Sequence, residues 1–416
     1  MQIDSDDNEV TAALERLRAL VLAEGGGFSP QMITRVRGGD LTVLADDDIE
    51  QDARLMQVPA SCLGATEAFD LGERDGAFIV ESEEASHPET ARRAFRQMLT
   101  VYNACGKPAA WRASSPWFAL SADPELLQCL TDLRRGAAKI QKFARMTSKN
   151  EWTRLLVDSF IGARVFQLRP EAAEEGGDGD SESGTAQSVL MPYVDFLNHD
   201  FRARPYSVTT DADGVRRLWT YADRPLEESR ECLVRYTPLD PFDSLLLYGF
   251  VDTSSAIARS VPACLHLADG LTLEVDAAAG GLFKDKLPKQ MQDIRMFIPN
   301  TKQRDGDYIK VSWMLFPGAG APWALRRVLR AFIRALRPQI GQVALREAVE
   351  EGEAQLLEAN YTALNKLTSC VAAARAAPPA DAPPGRAASL DNVDYAIQVS
   401  RARLEAYAGR LGVQVL

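Results

Sequence analysis

Met191-Pro192-Tyr193-Val194-Asp195-Phe196-Leu197-Asn198-His199-Asp200 is the stretch on which the reading of this chain turns. It is a P-x-x-D-x-x-N-H string. A short β-type region follows it and ends in Val234-Arg235-Tyr236, and Tyr248-Gly249-Phe250 comes next. Ala163-Arg164-Val165-Phe166 precedes it. An Asn-His pair alone carries no chemistry, because a buried histidine satisfied by a neighbour is the default for any single histidine. Four such features in a fixed order carry more.

Outward from that stretch the periodicity changes several times. On the N-terminal side, Glu174 to Gly184 is a polar Glu/Gly/Asp/Ser run with almost nothing to bury, and reads as a mobile surface loop. Before it, residues 87–160 have helical spacing, with Phe95, Met98, Leu99 and Tyr102 and then Trp152, Leu155, Leu156 and Phe160. Residues 32–58 are short apolar, β-branched runs with Gly38-Gly39 between them, which predict two or three strands. Leu14, Leu17, Leu20 and Val21 predict an opening helix over residues 9–24, stopped at Gly25-Gly26-Gly27.

On the C-terminal side, Val208-Thr209-Thr210, a turn at Ala212-Asp213-Gly214, Leu218-Trp219-Thr220-Tyr221 and Cys232-Leu233-Val234-Arg235-Tyr236 read as strands. After about residue 320 the chain is helical. Leu325, Val328, Leu329, Phe332 and Leu336 form one stripe, and a long pattern runs from Val343 to Val371. An Ala/Pro linker from Ala376 to Ala388 leads to a last helix predicted to start at a Ser389 cap and to carry Val393, Ile397, Leu404 and Leu411. Arg326, Arg327, Arg330 and Arg334 lie opposite the apolar stripe and read first as a solvated polar face, with docking of an acidic partner as the other reading.

The chain of 416 residues is long enough for about two or three domains. Its 46% hydrophobic and 25% charged residues exclude wholesale disorder, collagen and a coiled-coil rod. Lys and Arg total 47 against 58 Asp and Glu, a net charge of −11. A phosphate backbone or an anionic membrane is therefore repelled on average, and neither nucleic acid nor membrane is expected as a partner. Apolar runs fall far short of the roughly 20 residues that span a bilayer. The acidic start, Met1-Gln2-Ile3-Asp4-Ser5-Asp6-Asp7, has the character of neither a signal nor a transit peptide, so a cytoplasmic chain is the simplest reading, with nuclear or plastid residence open. The scattered Cys62, Cys105, Cys129, Cys232, Cys264 and Cys370 read as reduced thiols. With only His87, His199 and His266, no metal site is expected.

In these motifs and their order the chain resembles the SET-domain methyltransferases, and most the Rubisco large-subunit methyltransferase subgroup. The resemblance implies an α+β fold: a β-rich SET domain split by a helical insertion, followed by a mainly helical C-terminal domain. Residues 1–86 would hold the N-terminal helix and first SET part, 87–160 the insertion, 161–253 the second SET part, and 254–416 the helical substrate-binding domain. It also implies transfer of a methyl group from S-adenosyl-L-methionine to a protein side-chain nitrogen, lysine first, with histidine as a variant. By the same resemblance Asn198 and His199 hold the cofactor, Arg164 faces its carboxylate and Phe250 packs on its adenine, and Gly39 serves its glycine turn if that turn is shifted. Tyr236 aligns with the catalytic tyrosine. Asp195, through its backbone carbonyl, Tyr206 and Tyr248 would line the substrate channel, with Tyr193, Trp219 and Tyr221 as looser candidates. The chemistry needs such a channel, because a lysine amine must lose its proton and be aimed along the S–CH3 axis.

The sequence departs from the family pattern at three places. The family's two turn glycines fall at Asp40 and Thr42, its Gly-Glu-Glu is Ser229-Arg230-Glu231, and its Asn before Tyr248 is displaced among Pro241 and Asp243. The first departure keeps open another class of function, a SET-like protein-binding module without methyl transfer. Oligomeric state and target protein are not legible.

Overall fold

The computed structural model describes residues 1–168, 187–211, 214–237, 239–267, 270–276 and 289–411. The expected surface loop at 174–184 and most of the turn at 212–214 lie outside them. The chain folds into two compact units, Met1–Arg112 with Trp152–Pro238, and Ala113–Glu151 with Leu239–Leu416. Both strands and helices build them, an α+β fold. Among the described residues no helix is long and apolar enough to cross a membrane.

In the first unit Asp7 caps the helix Asn8–Ala23, its Oδ1 accepting the N–H groups of Glu9 and Val10 at 2.8 and 3.2 Å. Val10, Ala13, Leu14, Leu17 and Val21 are buried along one stripe. Each large member of that stripe contributes about 1.5–3 kcal/mol by leaving water. Next comes a three-stranded sheet of Gln2–Ser5, Met32–Arg37 and Asp40–Ala45, its first pair parallel and its second an antiparallel hairpin. Gly38 and Gly39 close the hairpin with φ of +58° and +82°, the backbone of a type I′ turn. A β-carbon at Gly38 would meet nothing, whereas one at Gly39 would collide with the Cys105 carbonyl. Gly39→Ala is therefore expected to lose about 1–2 kcal/mol in urea unfolding, more than Gly38→Ala, which meets only the φ penalty.

A second sheet orders Ser207–Thr210, Arg216–Tyr221, Arg54–Pro59 and Gly27–Phe28. The hairpin of Phe69–Arg74 with Ala77–Glu83 was not read from the sequence, although its Asp75-Gly76 turn is a standard hairpin dipeptide. Helices Glu89–Ala104 and Trp152–Gly162 bury the expected Phe95, Met98, Leu99, Tyr102, Leu155, Leu156 and Phe160.

The second unit holds the expected helices, Ala324–Leu336, Gln342–Ala376 and Arg386–Leu411, together with Pro124–Asp132, Ala138–Ser148 and Pro241–Tyr248. Between them lies a sheet that the sequence did not disclose, in the order Ala263–His266, Thr272–Val275, Tyr308–Val311, Thr301–Asp305. Ser389 does not cap the last helix. That helix starts three residues earlier, at Arg386, and Ser389 is buried inside it. The cause is long-range: Arg386 forks onto the buried Asp123 at 2.6 and 2.7 Å, and Gly385 fits against the Ala113 carbonyl, where a side chain would not. The arginine face of Ala324–Leu336 is likewise only partly solvated. Arg326 forks onto buried Glu353, which also accepts the Tyr407 hydroxyl, and Arg327 pairs with Asp293, while Arg330 and Arg334 are exposed.

Candidate functional site

The P-x-x-D-x-x-N-H stretch is built as a buried lead and a polar end. Tyr193 is fully buried with φ of +64°, a backbone rarely adopted by an aromatic residue. Its hydroxyl donates to the Leu14 carbonyl at 2.6 Å and its ring meets Phe28 and Phe196 edge-on, which holds the unusual backbone in place. A 3-10 turn, Val194–Phe196, follows and carries Asp195. Asn198–His199 then pairs in parallel with Leu233–Val234, Asn198 opposite Leu233 and His199 opposite Val234. On the other side of that segment the Cys232 N–H donates to the Val43 carbonyl and the Ala45 N–H to the Arg230 carbonyl, each at 2.8 Å. The hairpin strand Asp40–Ala45, residues 230–234 and the Asn-His pair thus run side by side in one unit.

Tyr236 emerges two residues beyond that pairing. Its N–H donates to His199 Nδ1 at 3.1 Å, so a neutral His199 carries its proton on Nε2. The Tyr236 hydroxyl donates to the Leu197 carbonyl at 2.6 Å, and its ring lies 5.1 Å from the imidazole. The Phe166 ring stands nearly perpendicular to those of Tyr236 and Tyr206, with centroids 6.2 and 4.9 Å away. Four aromatic or imidazole rings, Tyr206, Phe166, Tyr236 and His199, therefore adjoin in series.

Behind this face, the carboxyl of Asp195 points into the core, its side chain 5% exposed. The Tyr102 hydroxyl donates to it, and Arg164 Nε stands 3.6 Å away. The Arg164 guanidinium lies 3.7 Å over the Phe160 ring and donates to the Phe160 carbonyl at 3.2 Å. Burial pushes the Asp195 carboxyl up to about 7, against the opposing pull of Arg164 and the Tyr102 hydrogen bond. Burial also raises the Tyr102 phenol well above its usual range, so it stays a donor.

Asn198 is exposed, and its amide donates to Glu231 Oε1. Glu231 also lines a cavity of about 510 Å3 bounded by Arg224, Leu226, Glu227, Arg230 and Leu233. Gly39 lies at the hairpin turn against Cys105. Asp40, one of the two residues in place of glycine, is turned to solvent and pairs with Lys107 at 3.0 Å. Tyr248 and Phe250 belong to the second unit. Tyr248 ends the helix Pro241–Tyr248, Gly249 follows in the left-handed conformation, and the two rings are 6.1 Å apart. Of the looser candidates, Tyr193 is spent on the core, and Trp219 lies under Arg54, its Nε1 donating to Thr209. Sequence reasoning missed Tyr102, Phe166 and Glu231 as site residues. Phe166 stands two residues after Arg164 in the quoted motif, and Tyr102 sat on a helical stripe that reads as core.

No protein-family profile and no curated protein matches the chain. Solved structures do. The SET domain of LSMT bound to lysine and AdoHcy has 12% identity and a TM-score of 0.38, over 95% of this chain and 92% of that one. The same domain bound to methyllysine and AdoHcy has 14% identity and a TM-score of 0.43, over 97% and 94%. Rubisco LSMT bound to AdoMet has 12% identity and a TM-score of 0.43, over 97% and 94%. The chain is similar along nearly its whole length to SET-domain structures of Rubisco LSMT, at an identity and TM-score that leave its chemistry to be argued from its own residues.

Proposed function

We propose that this chain transfers a methyl group from S-adenosylmethionine to a side-chain nitrogen of a protein, lysine first and histidine as a variant of the same chemistry. The observation that carries the reading is the fixed Tyr236. Its backbone is tied to His199 and its hydroxyl to the Leu197 carbonyl, beside the strand that presents Asn198. A phenol that donates its proton to a carbonyl can still accept an N–H on its oxygen, which orients an incoming amine. Phe166 and Tyr206 give that amine apolar surroundings, which lower its pKa by disfavouring the charged form.

The cofactor, when bound, supplies an electrophilic methyl on a sulfonium. The chain offers donors and acceptors suited to its zwitterionic end: the exposed Asn198 amide and the Glu231 carboxylate beside a cavity of small-molecule size. Arg164 acts in this reading by bracing Asp195, since its guanidinium already lies over Phe160.

Calorimetric titration with S-adenosylmethionine tests the reading. Asn198→Ala is expected to weaken binding roughly 10- to 100-fold, the worth of a hydrogen bond to a charged group. Tyr236→Phe should keep cofactor binding and lower kcat about 100-fold in transfer of labelled methyl to protein, the low end for a group that handles protons. Absence of saturable binding to the wild-type chain sinks the proposal and leaves the binding-module alternative. That alternative is favoured by one feature, the hairpin turn in which Gly39 closes on Cys105 and Asp40 replaces bare backbone.

A further inference from the structure

Cys129 and Cys370 are 241 residues apart in sequence, yet their Sγ atoms lie 2.7 Å from each other in the second unit. Cys129 is carried by the helix Pro124–Asp132 and Cys370 by the long helix Gln342–Ala376. Cys129 is buried and Cys370 half-buried. Sulfurs this close need only a small side-chain rotation to reach the roughly 2.05 Å of a disulfide. Opposed helices that bring two thiols into direct contact also hold them there, so bond formation competes with no large conformational search.

We propose that Cys129 and Cys370 form a reversible modification site for low-molecular-weight disulfides such as glutathione disulfide, ending in a covalent staple between the two helices. The route follows from exposure. Cys370, the more accessible sulfur, loses its proton and attacks one sulfur of glutathione disulfide, whose S–S bond breaks and releases one glutathione thiolate. Cys129 then loses its proton, and its sulfur attacks the Cys370 sulfur of the mixed disulfide and expels the second glutathione. Two protein thiols are oxidised by two electrons, one glutathione disulfide is reduced to two glutathiones, and the two protons end on the leaving thiolates. Burial and the adjoining Cys370 push the Cys129 thiol up, so the first attack falls to the more accessible Cys370. Lys366 lies one helical turn before Cys370 and pulls in the opposite direction, and Asp132 opposes Lys366.

A mere survey of exposure makes a different forecast. Cys264 is the exposed thiol of the chain, so simple accessibility would place glutathione there. The two outcomes separate by mass. The reduced full-length chain is incubated with glutathione disulfide, digested without reductant and mapped. The expected product is a linked peptide pair containing Cys129 and Cys370, two hydrogens lighter than the reduced pair and free of glutathione. Cys129→Ser should instead accumulate one glutathionyl group on Cys370, because the resolving sulfur is gone. The staple closes a very long loop, so the oxidised wild type should melt on the order of 5–10 °C higher than the reduced protein, and Cys129→Ser should show no such shift. A wild-type chain that carries glutathione at Cys264 with no Cys129–Cys370 link overturns the proposal. So does a stable mixed disulfide at Cys370 while Cys129 is present.

Discussion

Arg134→Met is expected to destabilise the second unit by about 3–5 kcal/mol, read as a fall in the urea midpoint with the slope unchanged. Arg134 is fully buried, and its fork binds two carboxylates at once, Nη2 to Asp240 and Nε to Asp243 at 2.8 Å. Both acids are themselves buried, at 2% and 4% side-chain exposure. Methionine keeps much of the apolar stem, so the packing loss is small. What disappears is the cation between two anions, which leaves Arg259, 3.1 Å from Asp243, and Arg403, whose charge also acts on Asp240. Asp240 also caps the helix Pro241–Tyr248 through its bond to the Asp243 N–H, so helix and ion cluster fall together.

The loss should depend on pH. Burial alone would raise the Asp240 carboxyl, but Arg134 and then Arg259 hold it below its ordinary value. A depressed acid stabilises the fold above its unfolded pKa, and that contribution fades as pH falls through the folded one. The gap between wild type and Arg134→Met should accordingly narrow toward acid pH. Arg134→Lys should recover part of the loss, since an ammonium is a point charge and cannot replace the fork. A loss under about 1 kcal/mol for the methionine variant would mean that the cluster is hydrated and of little weight.

The parts of this architecture legible in sequence are those governed by local rules. The stripe from Val10 to Val21 is a helical period behind an aspartate cap, and Gly38-Gly39 marks a hairpin between β-branched runs. Parallel pairing of Asn198–His199 with Leu233–Val234 is long-range, and only the resemblance placed Tyr236 next to the Asn-His pair. Where partners are distant and unmarked, local reading fails. Ser389 looks like a cap until Arg386 finds Asp123, 263 residues away. The sheet at 263–311 escapes because its strands are four or five residues long, and Thr301–Asp305 is exposed throughout with no alternation to detect. Tyr102 was legible as core but not as a site residue, because a helical stripe reports where a ring points and is silent on what its hydroxyl meets.

Asp195→Asn should flatten the fall of stability between about pH 4 and pH 7. The groups facing the Asp195 carboxyl are Tyr102 on the helix Glu89–Ala104, Arg164 just after Trp152–Gly162, and Lys107. Burial outweighs all three and lifts the carboxyl from 3.8 to about 7. Below pH 4 the folded and unfolded chains both hold the proton, and the raised acid contributes its full stability. Between 4 and 7 the folded chain holds one proton more than the unfolded one, so stability drops by about 1.4 kcal/mol for each pH unit. Across that window the loss attributable to this one group reaches roughly 4 kcal/mol, and above pH 7 it grows no further. Asparagine is nearly isosteric, stays neutral, and keeps an oxygen to accept the Tyr102 hydroxyl, so the variant removes the titration without removing the contact. Urea unfolding of both proteins from pH 4 to pH 8 decides the matter through the difference between the two curves, which is independent of any constant offset between them. Diverging curves place a mostly neutral carboxyl under the Asn198 loop near pH 6. Parallel curves would show that Arg164 keeps Asp195 ionised throughout, and the Asp195 turn would then be held by an ion pair instead of by a buried acid.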